Sequence, residues 1–175
     1  MKSKYPKVVH KVCGKEMVNH VISVSKKSGV NDIVAILGHE SDVVKEKLPK
    51  DTMIAMQTEQ LGTGHAVMMA KDFLEKHSGN VVILNGDAPF MDAKTISDAL
   101  ALHTEKGSVA TVISAKVSDP TGYGRIVRDE NNNFLKIVEQ KDCNEEEKKI
   151  SLSMKALLPQ EDETDAEEVE ETTEE

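Results

Sequence analysis

Apolar residues along this chain fall into two recurring patterns. At Met17, Val18, Val21, Ile22 and Val24 they repeat at helical spacing, which predicts a helix over Lys15 to Lys27 stopped by Gly29. At Ile33 to Leu37 they run without interruption, as expected of a strand covered on both faces of a parallel sheet. The two patterns then alternate. A short helix is predicted over Glu40 to Leu48, closed by Pro49, then a strand over Met53 to Met56 and a helix over Thr63 to His77. Val81 to Leu84 reads as another buried strand, Ala93 to Thr104 as a helix, and Val109 to Val117 as a longer strand. Arg125 to Asp129 and Phe134 to Gln140 read as two further strands turned by Asn131-Asn132-Asn133. Met1 to Gly14 shows no clear period and reads as a basic, extended opening. This alternation predicts an α/β fold, doubly wound and Rossmann-like, with β-rich elements added after the first half. In such sheets ligands sit beyond the carboxyl ends of the strands, and those ends here carry Gly38-His39, Gln57 to Gly64 and Asn85 to Pro89.

Charge changes the picture at the C-terminus. Glu161 to Glu175 holds ten acids and no base, so without it the formal charge of −9 becomes +1. The near-neutral body offers no nucleic-acid surface. Residues 1–150 are expected to form one domain, and residues 151–175 an unmatched acidic tail too charged to fold. Cys13 and Cys143 imply neither a disulfide frame nor a metal cluster. No apolar run approaches a membrane span and no signal peptide is evident, so a cytoplasmic location is expected.

The candidate chemistry lies at the predicted strand ends. Gln57 can pair with the donor and acceptor edge of a base, and the Gly62-Thr63-Gly64 turn exposes amides to an anion; the same stretch also reads as an ordinary strand-to-helix loop. Asp87 follows a buried strand and a glycine. It reads either as a carboxylate for a hard cation such as Mg2+ or as a turn cap. Lys7 is a candidate phosphate clamp or a solvated lysine. Gly122-Tyr123-Gly124-Arg125 offers unobstructed amides to a sugar or phosphate, or is simply a β-turn. Glu139 and Lys141 suit a sugar hydroxyl and a phosphate, or the wet face of a strand. The six histidines show no ligand spacing, and there is neither an acyl-transfer triad nor a phosphate loop ending in Gly-Lys-Ser/Thr.

Taken together, Pro6-Lys7-Val8-Val9-His10, Gly14-Lys15, Gln57 to Ala66, Asn85 to Pro89, Asp119 to Val127 and Ile137 to Asp142 follow an order that resembles bacterial N-acetylglucosamine-1-phosphate uridylyltransferase. That activity is the N-terminal half of a bifunctional enzyme that also acetylates glucosamine-1-phosphate. The resemblance covers about Lys2 to Ile150. It implies a sugar-phosphate nucleotidyltransferase sheet in which Gln57 and Gly62 hold the uracil with Thr63 nearby, and Asp87 binds Mg2+ beside the phosphates. It also implies that Lys7 contacts phosphate and that Gly124 and Glu139 hold the N-acetylglucosamine portion. Lys7 and Asp87 are thereby the catalytic candidates. The implied partners are UTP, N-acetylglucosamine-1-phosphate and UDP-N-acetylglucosamine, with no nucleic acid and no membrane. The family's opening strand, its Leu-Ala-Ala-Gly-x-Gly-Thr-Arg-Met phosphate loop and its later Asn-Thr-Gly segment have no counterpart here. The expectation is therefore a sheet with its first strand missing and a turnover impaired or lost. The alternatives are a non-catalytic remnant that binds uridine nucleotides, and an interaction module.

Overall fold

The computed structural model describes residues 3, 5–38, 40–147 and 150. The predicted acidic tail and His39 lie outside these residues. The chain divides into two compact units, Met1–Gly107 and Ser108–Glu175.

The first unit opens with a 3-10 turn, Lys7–Val9, and a hairpin of β1 (Lys11–Val12) and β2 (Lys15–Glu16). The extended opening expected from the sequence is thus folded on itself. Its two-residue loop is Cys13-Gly14, both at positive φ (49° and 81°), the conformation that suits a tight antiparallel turn. Helix α1 (Met17–Lys27) follows, and its apolar stripe is the heart of the unit: Met17, Val18, Val21, Ile22 and Val24 are all buried. His20 Nε2 donates to Val12 O at 2.8 Å and Asn19 Nδ2 to Lys47 O at 2.9 Å, tying α1 to the hairpin and to the segment after α2 (Ser41–Lys45). Helix α5 (Ala93–Lys106) packs against α1. Asp92 caps it by accepting from Thr95 N at 2.8 Å, Gly107 closes it at φ 56°, and Ile96 is buried to 1% exposure.

β3 (Val34–Leu37) and β4 (Met53–Met56) pair in parallel, Val34 opposite Met53 through Leu37 opposite Met56. The ladder runs one step further, with Gln57 N donating to Leu37 O at 2.7 Å. The parallel pairing agrees with the apolar run, whereas burial on both faces does not. Leu37 is buried, but Met53, Ile54 and Met56 are about two-fifths exposed (40–41%).

Three expected elements differ. Val81–Leu84 and Val109–Val117 form no strand, and Val81, Ile83 and Val109 stand exposed. A strand exists only where a neighbour takes up its amides and carbonyls. Among the described residues no strand is laddered to either segment, and β3 has a partner on one side only. The predicted helix Thr63 to His77 is two shorter ones, α3 (Thr63–Met68) and α4 (Lys71–Leu74). A helix face gains most of its stability from packing. Neither piece contains a buried residue, and Met68 is 67% exposed.

The second unit is organised by an antiparallel hairpin of β5 (Arg125–Arg128) and β6 (Phe134–Val138), as the sequence predicts. Asp129 fixes the turn by accepting from Asn131 N (2.9 Å), Asn133 N (2.8 Å) and Asn133 Nδ2 (3.0 Å), while Asn132 takes the left-handed conformation at φ 64°. Beyond a 3-10 turn at Gln140–Asp142, Asn144 and Glu147 exchange hydrogen bonds, amide to side chain, at 2.9 and 2.8 Å.

Candidate functional site

Lys7 and Asp87 are eighty residues apart in sequence, yet Lys7 Nζ stands 2.7 Å from Asp87 Oδ2. Local packing explains the meeting. A Cβ on Gly86 would lie 3.3 Å from Val8 Cγ1 and 3.8 Å from Val18 Cγ2. A side chain here would require Val8 to give by a few tenths of an ångström, so the bare glycine lets this segment rest closely on the Lys7–Val9 turn and on α1. The residue before the close approach is the exposed Asn85, and the residue after it is Asp87. Pro6 presets the backbone ahead of the 3-10 turn, and Val9 N and His10 N close that turn onto Pro6 O and Lys7 O at 3.2 Å each. Both side chains remain open to water, at 60% and 37% exposure, so a phosphate can compete for the ammonium and a cation for the carboxylate.

Gln57 forms a second knot. Its side-chain Nε2 donates to Gly62 O at 3.1 Å and lies 3.1 Å from His65 Nδ1. A carbonyl can only accept, so the amide nitrogen faces Gly62 and the amide oxygen Oε1 faces away as an acceptor. Gly62 precedes α3 at φ 103° and ψ 178°, a region open essentially to glycine alone. Gly38 allows the loop to approach the end of β3: a Cβ there would meet Gln60 Nε2 at 3.3 Å. Thr63 is the first residue of α3 and is exposed. That helix is short, which weakens the expected pull of a helix dipole on an anion.

In the second unit, Gly124 and Glu139 are brought together. A Cβ on Gly124 would lie 3.4 Å from Ile137 Cγ2, 3.5 Å from Val138 O and 3.9 Å from Glu139 Oε2. The carboxylate of Glu139 therefore stands over the bare backbone of Gly124.

No group of three or more metal-binding side chains occurs among the described residues. A lone carboxylate at Asp87 fits a Mg2+ ion that arrives with phosphate oxygens, because that ion is commonly held by one or two carboxylates plus the substrate. It does not fit an ion caged by protein alone.

His65 and Gln140 were not legible as site neighbours. His65 reaches Gln57 across a strand end, a loop and a helix start, a spacing that no periodicity marks. Gln140 bonds to Gly122 N and to Arg125, partners on another strand and its preceding turn.

Residues 2–151 match the nucleotidyl transferase family model. Among curated proteins, the bifunctional protein GlmU of Clostridioides difficile (strain 630) is 62% identical over 151 residues, covering 86% of this chain and 33% of that protein. The GlmU of Thermoanaerobacter pseudethanolicus is 48% identical over 150 residues with the same coverage. This chain thus spans about a third of the length of the curated relatives it matches. Among solved structures, HddC from Yersinia pseudotuberculosis superposes with a TM-score of 0.61 at 18% identity, covering 88% of this chain and 66% of that one. The same protein complexed with GMP-PN gives 0.58 at 20% identity, covering 80% and 62%. At such low identity this likeness speaks for the fold alone. With the family model covering all the described residues, this chain belongs to the nucleotidyl transferase family.

Proposed function

We propose that residues 1–150 constitute a uridylyltransferase domain that handles UTP and N-acetylglucosamine-1-phosphate, yielding UDP-N-acetylglucosamine and pyrophosphate. The observation that carries this reading is the Lys7–Asp87 pair, an ammonium and a carboxylate held 2.7 Å apart at the end of an apolar segment. Nucleotidyl transfer needs such a pair: a cation for phosphate oxygens and a carboxylate for the ion that travels with them. The resemblance carried by Gln57 to Ala66, Asn85 to Pro89 and Ile137 to Asp142 supports the choice of substrates.

Each residue has a role in this reading. Gln57 Oε1 accepts from the imide N–H of uracil, an acceptor placed by the bonds of Nε2 to Gly62 and His65. Cytosine offers a lone pair at the same ring position and is disfavoured. The Gly62 and Thr63 backbone lies alongside the base. Gly124 and Glu139 receive the sugar, Glu139 accepting from a hydroxyl. A sugar phosphate oxygen attacks the α-phosphorus of UTP. A P–O bond forms as the bond to the β-phosphate oxygen breaks, and pyrophosphate leaves. Asp87 would hold Mg2+ together with phosphate oxygens, and that ion supplies charge neutralisation. Lys7 moves from Asp87 to a phosphate oxygen, a change that costs little because both partners are solvated. Catalysis of this type is positioning and charge neutralisation, without a covalent nucleophile.

A second reading has its own support. The sequence holds two arginines, Arg125 and Arg128, and both are committed to acceptors of the second unit. A non-catalytic module that binds uridine nucleotides is this second reading. Among the described residues no helix is long and apolar enough to cross a membrane.

The test is Mg2+-dependent pyrophosphate release from UTP and N-acetylglucosamine-1-phosphate, with the Asp87→Asn and Lys7→Met variants as controls. Slow release that both substitutions abolish supports the transferase. Nucleotide binding without any release leaves the non-catalytic binding module. Release unchanged in both variants contradicts the roles given to these residues.

A further inference from the structure

Arg125 is the most deeply buried charged residue described, at 2% exposure. Its partners are all neutral oxygens. Nη1 donates to Pro120 O at 2.7 Å and to Tyr123 O, and Nη2 donates to Gln140 Oε1 at 2.6 Å. Nε is buried without a partner. Among the described residues no carboxylate forms an ion pair with it, although its charge is one of the causes that lower Asp119. A buried cation with an unsatisfied N–H is costly, and a well-packed apolar side chain in its place would serve stability as well or better. What a guanidinium adds is reach in several directions from a rigid plane.

Those directions are informative. Two bonds run to the carbonyls of the Pro120–Tyr123 turn, which is itself closed by Tyr123 N donating to Pro120 O at 3.0 Å. The third runs to Gln140 Oε1, and the same oxygen accepts from Gly122 N at 3.4 Å. Gly122, at φ 83°, supplies the left-handed step that brings its amide round. Arg125 and Gln140 therefore lock the turn to the end of β6. Gly124 lies between Tyr123 and Arg125, and Glu139 immediately precedes Gln140. The two residues assigned to the sugar are each next in sequence to a component of this lock.

From this juxtaposition we infer that Arg125 and Gln140 are positioning residues for the sugar. They set the distance of the Glu139 carboxylate from the Gly124 backbone without touching the substrate. The inference rests on the assignment of Gly124 and Glu139 to the N-acetylglucosamine portion. A misplacement of about 1 Å in such a pair costs up to roughly a hundredfold in productive binding, whereas the uridine contacts at Gln57 belong to the other unit and are indifferent to it.

The test compares the full chain with Arg125→Met, Arg125→Lys, Gln140→Ala and Gln140→Glu. Affinities for UDP-N-acetylglucosamine and UDP are measured by titration calorimetry, and the Gly122 and Tyr123 amides by hydrogen exchange. Arg125→Met and Gln140→Ala are expected to weaken UDP-N-acetylglucosamine by about tenfold or more while leaving UDP unchanged, with faster exchange at both amides. Arg125→Lys keeps the charge but loses the fork, and should behave like Arg125→Met. Gln140→Glu keeps the shared acceptor and should retain both affinities. Equal losses for UDP and UDP-N-acetylglucosamine, or faster exchange with no change in sugar-nucleotide affinity, would overturn the inference by reducing the lock to a stability element. If Arg125→Met does not fold, Gln140→Ala carries the same test. Parent protein that binds UDP and UDP-N-acetylglucosamine equally overturns the sugar assignment itself. That result differs from failure of the lock, in which the parent discriminates and the variants do so as well.

Discussion

At Gly124 a methyl group would rest 3.4 Å from Ile137 Cγ2 and 3.5 Å from Val138 O, ordinary contact distances. Gly62 differs: its backbone, at φ 103° and ψ 178°, is closed to other residues although the space around it is open. The glycine at 62 is thus explained by the chain's own path, while the chain's path does not require the one at 124, to which the proposed function gives a sugar contact. A Gly124→Ala variant should therefore unfold at the parent's temperature and bind UDP as the parent does, yet lose about tenfold in affinity for UDP-N-acetylglucosamine, the order of effect of a small misplacement in a site. Thermal unfolding and calorimetry on the same sample check both halves; unaltered sugar-nucleotide affinity removes Gly124 from the site. Lys7 and Asp87 show what residue-level reading misses. Taken singly, Lys7 reads more readily as a solvated lysine and Asp87 equally well as a turn cap, and only the fold, through the bare Gly86 against Val8 and Val18, places them in contact.

Among the elements, those with local rules were legible. Helix α1 shows its stripe and its glycine stop, α5 its Asp92 cap, and the β5–β6 hairpin its asparagine turn. The short β1–β2 hairpin was missed because its signal is one Cys13-Gly14 step rather than a run of apolar residues. Strand character at Val81–Leu84 is evident in the sequence, but a ladder depends on a neighbour, which no local pattern encodes. The hairpin unit also carries a pH dependence. Asp129 is held below its ordinary range by Asn133, side chain first and then backbone, and Asp119 likewise by Thr121. Glu147 is lowered by the Lys136 ammonium 2.8 Å away and by Asn144 N. A carboxylate whose folded pKa is lowered stabilises the fold fully above its unfolded value, near 4, and that contribution is lost as pH falls through the folded one. The second unit should therefore keep its stability from neutral pH down to about 4.5 and lose it progressively below about 4. Asp129→Asn should flatten that loss. Denaturant midpoints followed by circular dichroism across this range check the slope, and a slope identical in the variant contradicts the role given to Asp129.

For the whole molecule, the pattern of alternating elements gave the α/β class, and the family model across residues 2–151 agrees with it. What the sequence could not convey is how incompletely the sheet closes. β3 and β4 pair alone among the described residues, with Met53, Ile54 and Met56 uncovered. The contacts to which the proposed function gives recognition are each built locally, Gln57 on Gly62 and His65, Glu139 beside Gly124. In the proposed function this chain recognises a uridine nucleotide through an acceptor fixed at Gln57. The most direct test is calorimetric titration with UTP and with CTP in Mg2+, using the full chain and Gln57→Ala. Binding of UTP that exceeds that of CTP by about tenfold or more, with the difference lost in Gln57→Ala, is the result expected. Equal affinity for the two nucleotides, or a preference that survives the substitution, would contradict it.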